Sequence, residues 1–264
     1  MTQAKFTFPD GRTVHRLGLG TMRLTGQPGN FGPFEDWEAG KTLLRTAADN
    51  GVDFFDTARA YGPHWGERII GEALAEYGDR VFVASKGGIE KNGPTGAHIR
   101  RDGRPDRLKV HVDESLEALG RDIIDLYYLH SPDPSVPFAD SIGALEEARL
   151  AGKIARIGVS NATLDQLREA MAIAPISAVQ NRYDPVNGGD EAVLDATVQA
   201  GIAFVPWGPL GANPMKPGSP FAETGAMGVT DAIKALLDRA PNVLPIPGTR
   251  SVDHLLANLK AAAA

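Results

Sequence analysis

The sequence contains no cysteine. That excludes disulfides, thiolate nucleophiles, iron–sulfur clusters and cysteine-built zinc sites. No apolar run approaches the ~18 residues that a membrane-spanning helix needs. The first residues, MTQAKFTFPDGRTVH, lack the continuous apolar core of a secretory signal. Positive charge is not in excess. Lys and Arg number 27 against 33 Asp and Glu, a net charge of −6, so nothing electrostatic recommends nucleic acid as a partner. His15, His64, His98 and His111 show no metal-ligand spacing with acidic neighbours, so surface or packing roles are expected and no metal. These absences point to a soluble cytoplasmic protein and give no reason to expect nucleic acid or a membrane as partner; a partner protein is not expected either.

What is present is ordinary globular material, 42 % hydrophobic and 23 % charged over 264 residues. It has a repeating order. Eight short apolar runs fall at 17–21, 52–56, 81–86, 124–130, 154–160, 178–180, 202–206 and 243–246. Segments of helical length and amphipathic pattern lie near 36–50, 66–77, 106–119, 138–151, 163–173, 190–200, 230–239 and 251–260. Dividing 264 by eight gives 33 residues for each strand–helix unit. That alternation predicts an α/β fold with parallel strands, and eight units predict a closed (β/α)8 TIM barrel forming a single domain over 1–264.

Local signals agree with the register. Gly51, Gly78, Gly120, Gly152 and Gly201 stand where helices stop. Thr163-Leu164-Asp165-Gln166 reads as a capping box, and Thr230 and Ser251 as N-caps. Lys5–Phe8 and Arg12–His15 flank Pro9-Asp10-Gly11, which predicts an N-terminal β-hairpin over the closed mouth of the barrel. The long connections 87–105 and 207–229 follow strands, on the face where such barrels carry their function. The first, with Lys91, Arg100, Arg101 and Arg104, is expected to be a solvated loop. Trp37 and Trp65 are expected to pack helices or rim the mouth.

Polar residues recur at the C-terminal ends of the runs: Asp56, Lys86, His130, Ser160-Asn161 and Gln180. A barrel brings these ends to one mouth. Strand ends are often polar simply because they leave the core, but an acid, a lysine and a histidine on three successive ends form a chemical constellation. A buried lysine in particular is costly unless paired or used.

These residues stand in motifs that resemble the aldo-keto reductase family over almost the whole chain. The segment Gly51-Val52-Asp53-Phe54-Phe55-Asp56-Thr57-Ala58-Arg59-Ala60-Tyr61-Gly62 is similar to the family marker. Ala84-Ser85-Lys86-Gly87-Gly88, Asp125-Leu126-Tyr127-Tyr128-Leu129-His130, Gly152 to Asn161, Gln180 to Tyr183, Pro206 to Gly211 and Pro245 to Ser251 follow in family order. The details look most similar to bacterial members.

The resemblance implies an enzyme that reduces an aldehyde or ketone to an alcohol with NADPH, using a tetrad of Asp56, Tyr61, Lys86 and His130. A free phenol has a pKa of ~10 and is a poor acid at neutral pH, and a nearby lysine cation is expected to lower it. Asp56 would hold Lys86, and His130 would orient the substrate carbonyl. For the cofactor, the resemblance implies contacts from Gly20, Thr21 and Met22, from Asp56, Ser160, Asn161 and Gln180 around the nicotinamide, and from Trp207 stacked on its ring. Gly208, Pro209 and Leu210 follow, and Gly248, Thr249, Arg250, His254 and Asn258 would hold the adenosine end. Tyr61, His130 and Trp65 would touch substrate. Gly18-Leu19-Gly20 is no Rossmann fingerprint, since it lies in a strand and lacks the third glycine.

Two departures from the family pattern stand out. Many relatives carry lysine at Gly248 and arginine at His254, so NADPH over NADH rests on Arg250. The chain also ends soon after its last helix, and 211–229 is short, which implies an open pocket with weak selectivity. Two other readings remain open at this point: a Lys86 Schiff-base aldolase-like lyase, and a non-enzymatic NADPH-sensing subunit on the same scaffold.

Overall fold

The computed structural model describes residues 4–209 and 228–263. The expected contact Leu210 and most of the connection 211–229 lie outside the described residues. In chain order the elements are β1 (Lys5–Thr7), β2 (Thr13–His15), β3 (Leu19–Gly20), α1 (Trp37–Asp49), β4 (Phe54–Asp56), α2 (Trp65–Leu74), β5 (Phe82–Gly87), β6 (Ile89–Lys91) and β7 (Ile99–Arg101). Then follow α3 (Pro105–Leu119), β8 (Leu126–Leu129), α4 (Phe138–Leu150), β9 (Ile157–Ser160), α5 (Leu164–Ile173), β10 (Ile176–Gln180), β11 (Tyr183–Asp184), β12 (Gly188–Gly189), α6 (Glu191–Ala200), β13 (Ala203–Phe204), α7 (Val229–Arg239) and α8 (Val252–Ala263).

Seven strands form one parallel sheet in the order β13-β10-β9-β8-β5-β4-β3. The eighth apolar run, 243–246, is not a regular strand, but it closes the ring by hydrogen bonding at both free edges. Leu244 N–H donates to Phe204 O at 2.8 Å, and Gly18 N–H donates to Pro245 O at 2.9 Å. The buried Arg16 guanidinium holds this seam, donating to the carbonyls of Leu237, Ala240 and Val243. The last helical carbonyls of α7 thereby gain the partners that a helix end lacks. The expected (β/α)8 barrel is present.

Alternation along the strands divides the core. Phe55, Val83, Tyr127 and Val159 point outward and pack under the helices. Phe54, Phe82, Ala84, Leu126, Tyr128, Ala178 and Leu244 point inward. The hairpin β1–β2 plugs one end, where Phe8 stacks on Phe82 with ring centroids 4.9 Å apart. Gly158 has no room for a side chain, because a Cβ there would sit 2.3 Å from the Tyr128 ring. The helices stop as expected, Gly120 and Gly201 taking φ of +61° and +65°. Thr163 and Gln166 form the capping box, and Ser251 Oγ accepts from His254 N–H. Thr230 does not cap its helix. The N-cap is Gly228, and Thr230 lies within the first turn.

The segment 87–103 is exposed over 94–101, as a solvated loop would be, but it is ordered rather than irregular. It folds into the antiparallel hairpin β6–β7, held by charge. Glu90 accepts from Arg59 and Arg107 and pairs with the fully buried His111, whose Nδ1 accepts from Gly88 N–H. Lys91 is buried and donates to the carbonyls of Gly29 and Asn30. Burial works to raise the Glu90 pKa, but its hydrogen bonds to Arg107 and His111 and the nearby Arg59 charge lower it to about 2.

Two stability measurements test this architecture. Gly158→Ala should cost about 1–3 kcal/mol by overpacking the barrel interior, read as a lower urea midpoint with an unchanged slope. Glu90→Gln should cost about 2–3 kcal/mol at neutral pH. Its carboxyl binds protons less readily in the folded chain, so its contribution is complete above the ordinary value of 4.5 and disappears as pH falls toward about 2. Unfolding curves of wild type and variant should therefore converge in acid; a constant gap down to pH 2 would contradict the assignment.

Candidate active site

The inward-facing parity of the strands carries the site. Following β4 from Phe54, the next inward residue is Asp56; β5 runs Phe82, Ala84, Lys86; β8 leads through Leu126 and Tyr128 to His130; β10 ends Ala178, Gln180. The polar residues are thus the top layer of the barrel interior. Below them the layers are apolar.

Lys86 is fully buried, and Asp56 is 1 % exposed. The Lys86 ammonium donates to Asp56 Oδ1 at 2.6 Å, to Thr57 O at 2.7 Å and to Tyr61 Oη at 3.5 Å. It lies 5.0 Å from the centre of the Tyr61 ring and 6.0 Å from that of Tyr128. The second carboxylate oxygen of Asp56 accepts from Gln180 Nε2 at 2.8 Å. Burial acts to lower the Lys86 pKa, but the Asp56 carboxylate and Tyr61 outweigh it and raise the value above its ordinary one. Lys86 is a fixed cation.

Tyr61 differs from the sequence expectation. The Lys86 charge does lower its pKa, but burial acts more strongly, Asp56 adds to it, and the net shift is upward. The phenol keeps its proton through neutral pH. The Tyr61 and His130 rings meet edge to face with centroids 5.9 Å apart. Burial first, and then the Lys86 charge, bring the His130 pKa down to about 3, so the imidazole is neutral. Its Nδ1 is buried with no hydrogen-bond partner among the described residues.

The loop that carries Tyr61 is tied to the strand that carries Lys86. Thr57 N–H donates to Ala84 O and Arg59 N–H to Lys86 O, extending the ladder beyond β4. Glu67, fully buried in the first turn of α2, accepts from Ser85 Oγ at 2.5 Å and pairs with His64 at 3.3 Å. It spans the residue before Lys86 and the turn after Tyr61. Sequence inspection passed over Glu67; its signal was a glutamate at a helix start, where a surface cap is the common role.

Above the tetrad opens a cleft of about 1070 Å³. Asp56, Tyr61 and His130 lie at its base, with Lys86 beneath them. Gly20, Thr21 and Met22 line one wall, and Ser160, Asn161, Gln180, Trp207, Gly208 and Pro209 another. Gly248, Thr249, Arg250, His254 and Asn258 line the far end. Asn161 has φ of +56°, which turns its amide back over the strand ends. There its Nδ2 donates to His130 O, and its Oδ1 accepts from Trp207 Nε1 at 3.0 Å. Gln180, expected among the nicotinamide contacts, has its amide nitrogen engaged by Asp56. Phe34, Glu35, Asp36 and Ala39 also line the cleft and were not foreseen. Glu35 pairs with Arg250 at 3.6 Å across the opening. Trp65 is not in the cleft wall. Its ring meets Trp37 edge-on at 5.5 Å, with the Arg68 guanidinium over it. Among the described residues no cluster of His, Asp and Glu could hold a metal ion, and no helix is long and apolar enough to cross a membrane.

Comparison with known proteins agrees with this geometry. A sequence profile described as the Aldo/keto reductase family matches residues 16–217. Pyridoxine 4-dehydrogenase of Escherichia coli (strain K12) is 38 % identical over 260 residues, covering 95 % of this chain and 90 % of the relative. An aldo-keto reductase of Schizosaccharomyces pombe, named as using NADP(+), is 32 % identical over 290 residues, covering 94 % and 84 %. The structure of a glycerol dehydrogenase from Gluconobacter oxydans superposes with a TM-score of 0.84 over 99 % of this chain and 90 % of that one, at 23 % identity, a likeness of fold. With the marker residues gathered at one barrel mouth and the profile covering most of the sequence, the chain belongs to the aldo/keto reductase family of oxidoreductases.

Proposed function

We propose that this enzyme reduces an aldehyde or ketone to an alcohol with NADPH, Tyr61 supplying the proton. The observation that carries the reading is the Tyr61 hydroxyl 3.5 Å from the buried Lys86 amine, itself paired with Asp56, at the base of a cleft large enough for a dinucleotide. A nicotinamide cofactor held in the cleft would supply the hydride. The chain's own residues do the rest. Tyr61 donates its proton to the carbonyl oxygen as that oxygen gains negative charge. Lys86 stabilises the phenolate left behind, and Asp56 and Thr57 O keep the ammonium in place. Neutral His130 orients the carbonyl without competing for the proton.

The residues fit such a cofactor. Gly20 and Gly248 approach closely, a Cβ on Gly248 lying only 3.1 Å from Gly20 O, so this wall and the far end meet there backbone to backbone. Trp207 is 37 % exposed on the wall and offers a ring face. Arg250 stands where Ser251 caps the last helix, a place suited to an anion. The raised pKa of Lys86 speaks against a Schiff-base lyase, because a nucleophilic amine must lose its proton. The similarity to pyridoxine 4-dehydrogenase makes pyridoxal the first aldehyde to assay.

The decisive experiment is NADPH oxidation with Tyr61→Phe. Turnover should fall by about 10²–10⁴-fold with NADPH affinity nearly intact. Reduction at the wild-type rate would mean that another group donates the proton. In the wild type, neither Tyr61 nor His130 changes charge between pH 5 and 9, so the rate should be flat there. It should fall only above the ordinary phenol value of 10, and Lys86→Met should move that fall higher still. A midpoint near neutrality would contradict this.

Cofactor choice has its own test. Arg250→Ala should weaken NADPH by about 1.5–3 kcal/mol and NADH far less, because only NADPH carries the extra phosphate. Quenching of tryptophan fluorescence reads both affinities. Equal weakening would remove Arg250 from phosphate recognition.

A further inference from the structure

A second recess, of about 350 Å³, adjoins the cleft and shares Asn161 with it. It begins at the residue after His130. Its walls are Pro132, Pro134, Val136 and Phe138, and its polar rim is Arg101, Ser131, Asp133 and Gln166. The hydrogen bonding of that rim is one-sided. Asp133 is already satisfied, accepting from Gly103 N–H, Ser135 N–H and Ser135 Oγ. Asn161 is committed to His130, Ser160 and Trp207. Gln166 uses its carbonyl oxygen to accept from Thr163 N–H, which leaves its NH₂ as a donor. Ser131 is only 6 % exposed, and its hydroxyl has no partner among the described residues.

Arg101 completes the asymmetry. Its neighbours Arg100 and Arg104 both pair with Asp102. Arg101 pairs with Glu and Asp nowhere among the described residues, in a chain with excess acid. Three uncommitted donors, one of them a cation, therefore face a pocket with apolar sides. That arrangement suits a compact oxyanion on an apolar or aromatic body.

We propose that Arg101, Ser131 and Gln166 form a subsite for a carboxylate or phosphate substituent on the carbonyl substrate. It rests on the carbonyl-reductase reading. The carbonyl lies at Tyr61 and His130, and the substituent runs past Ser131 toward the guanidinium. Arg101 sits on the β6–β7 hairpin, so this segment supplies selectivity to the reaction.

The test compares 4-formylbenzoate with its methyl ester, which keeps the aldehyde and ring but removes the charge. Wild type should favour the carboxylate by about tenfold in kcat/KM, the size of one charged hydrogen bond. Arg101→Met should abolish that preference through KM rather than kcat, and Arg101→Lys should keep part of it. Ser131→Ala should reduce the preference by a smaller factor. A 4-formylphenyl phosphate substrate separates the two oxyanions, since a phosphate site favours it further over the carboxylate. If the ester is reduced but Arg101→Met leaves the carboxylate-to-ester ratio unchanged, the subsite is wrong and the reductase reading stands. If wild type reduces neither aldehyde, both fail together.

Discussion

The site depends on one buried ion pair. Lys86 and Asp56 carry full charges in the top layer of a barrel whose lower layers are aliphatic and aromatic. Removing either partner leaves an uncompensated charge in that environment, a change that destabilises strongly. An apolar pair of similar volume would fill the space without that penalty, so stability alone gives no reason for these residues. The charge explains them. The amine is held against a phenol, its Asp56 partner fixed in turn by Gln180, and this is the arrangement that the proposed proton donation from Tyr61 would use.

The surrounding structure divides into a rigid part and an open part. The Tyr61 loop is joined to β5 by ladder hydrogen bonds and by Glu67. The hairpin above α3 is clamped by Glu90, Arg59, Arg107 and His111. These ties hold the Tyr61 hydroxyl within a narrow range of the cation, which the proposed proton transfer needs because such transfers fall off steeply with misplacement. Among the described residues, the Arg250–Glu35 pair spans the far side of the cleft between exposed side chains. Such a pair is weak in water and yields readily to a stronger anion.

Much of this was legible in the sequence. Alternating runs and helical segments, stopped by glycines, determined a βα repeat, and a repeat of eight determined a barrel. Within that barrel, the polar residue ending each run had to meet the others. The family motifs contain the same run-end residues, Asp56, Lys86, His130, Ser160, Asn161 and Gln180; Tyr61 and the residues from Trp207 to Asn258 came from the resemblance alone. Where sequence reading stopped short, the reason was mostly a contact between distant segments and once a shifted helix start. The hairpin at 87–105 depends on Arg59 and His111, neither of which belongs to it. Gly228 replaced Thr230 as a cap because the helix begins one residue earlier than its pattern suggested. Trp65 turned to Trp37 rather than to the cleft, a choice between two apolar surfaces that local sequence does not distinguish.

The sequence by itself determined which groups reach the mouth, because strand parity and repeat order are local properties of the chain. Tertiary structure alone decided their protonation. Lysine beside tyrosine suggests a more acidic phenol, yet Tyr61 is shifted the other way, because solvent exclusion outweighs the neighbouring charge. The same burial leaves His130 neutral, while Asp56 keeps Lys86 charged against it. Desolvation depends on everything packed around a group, from all eight runs and the loops above them, and no stretch of sequence around the residue contains that information.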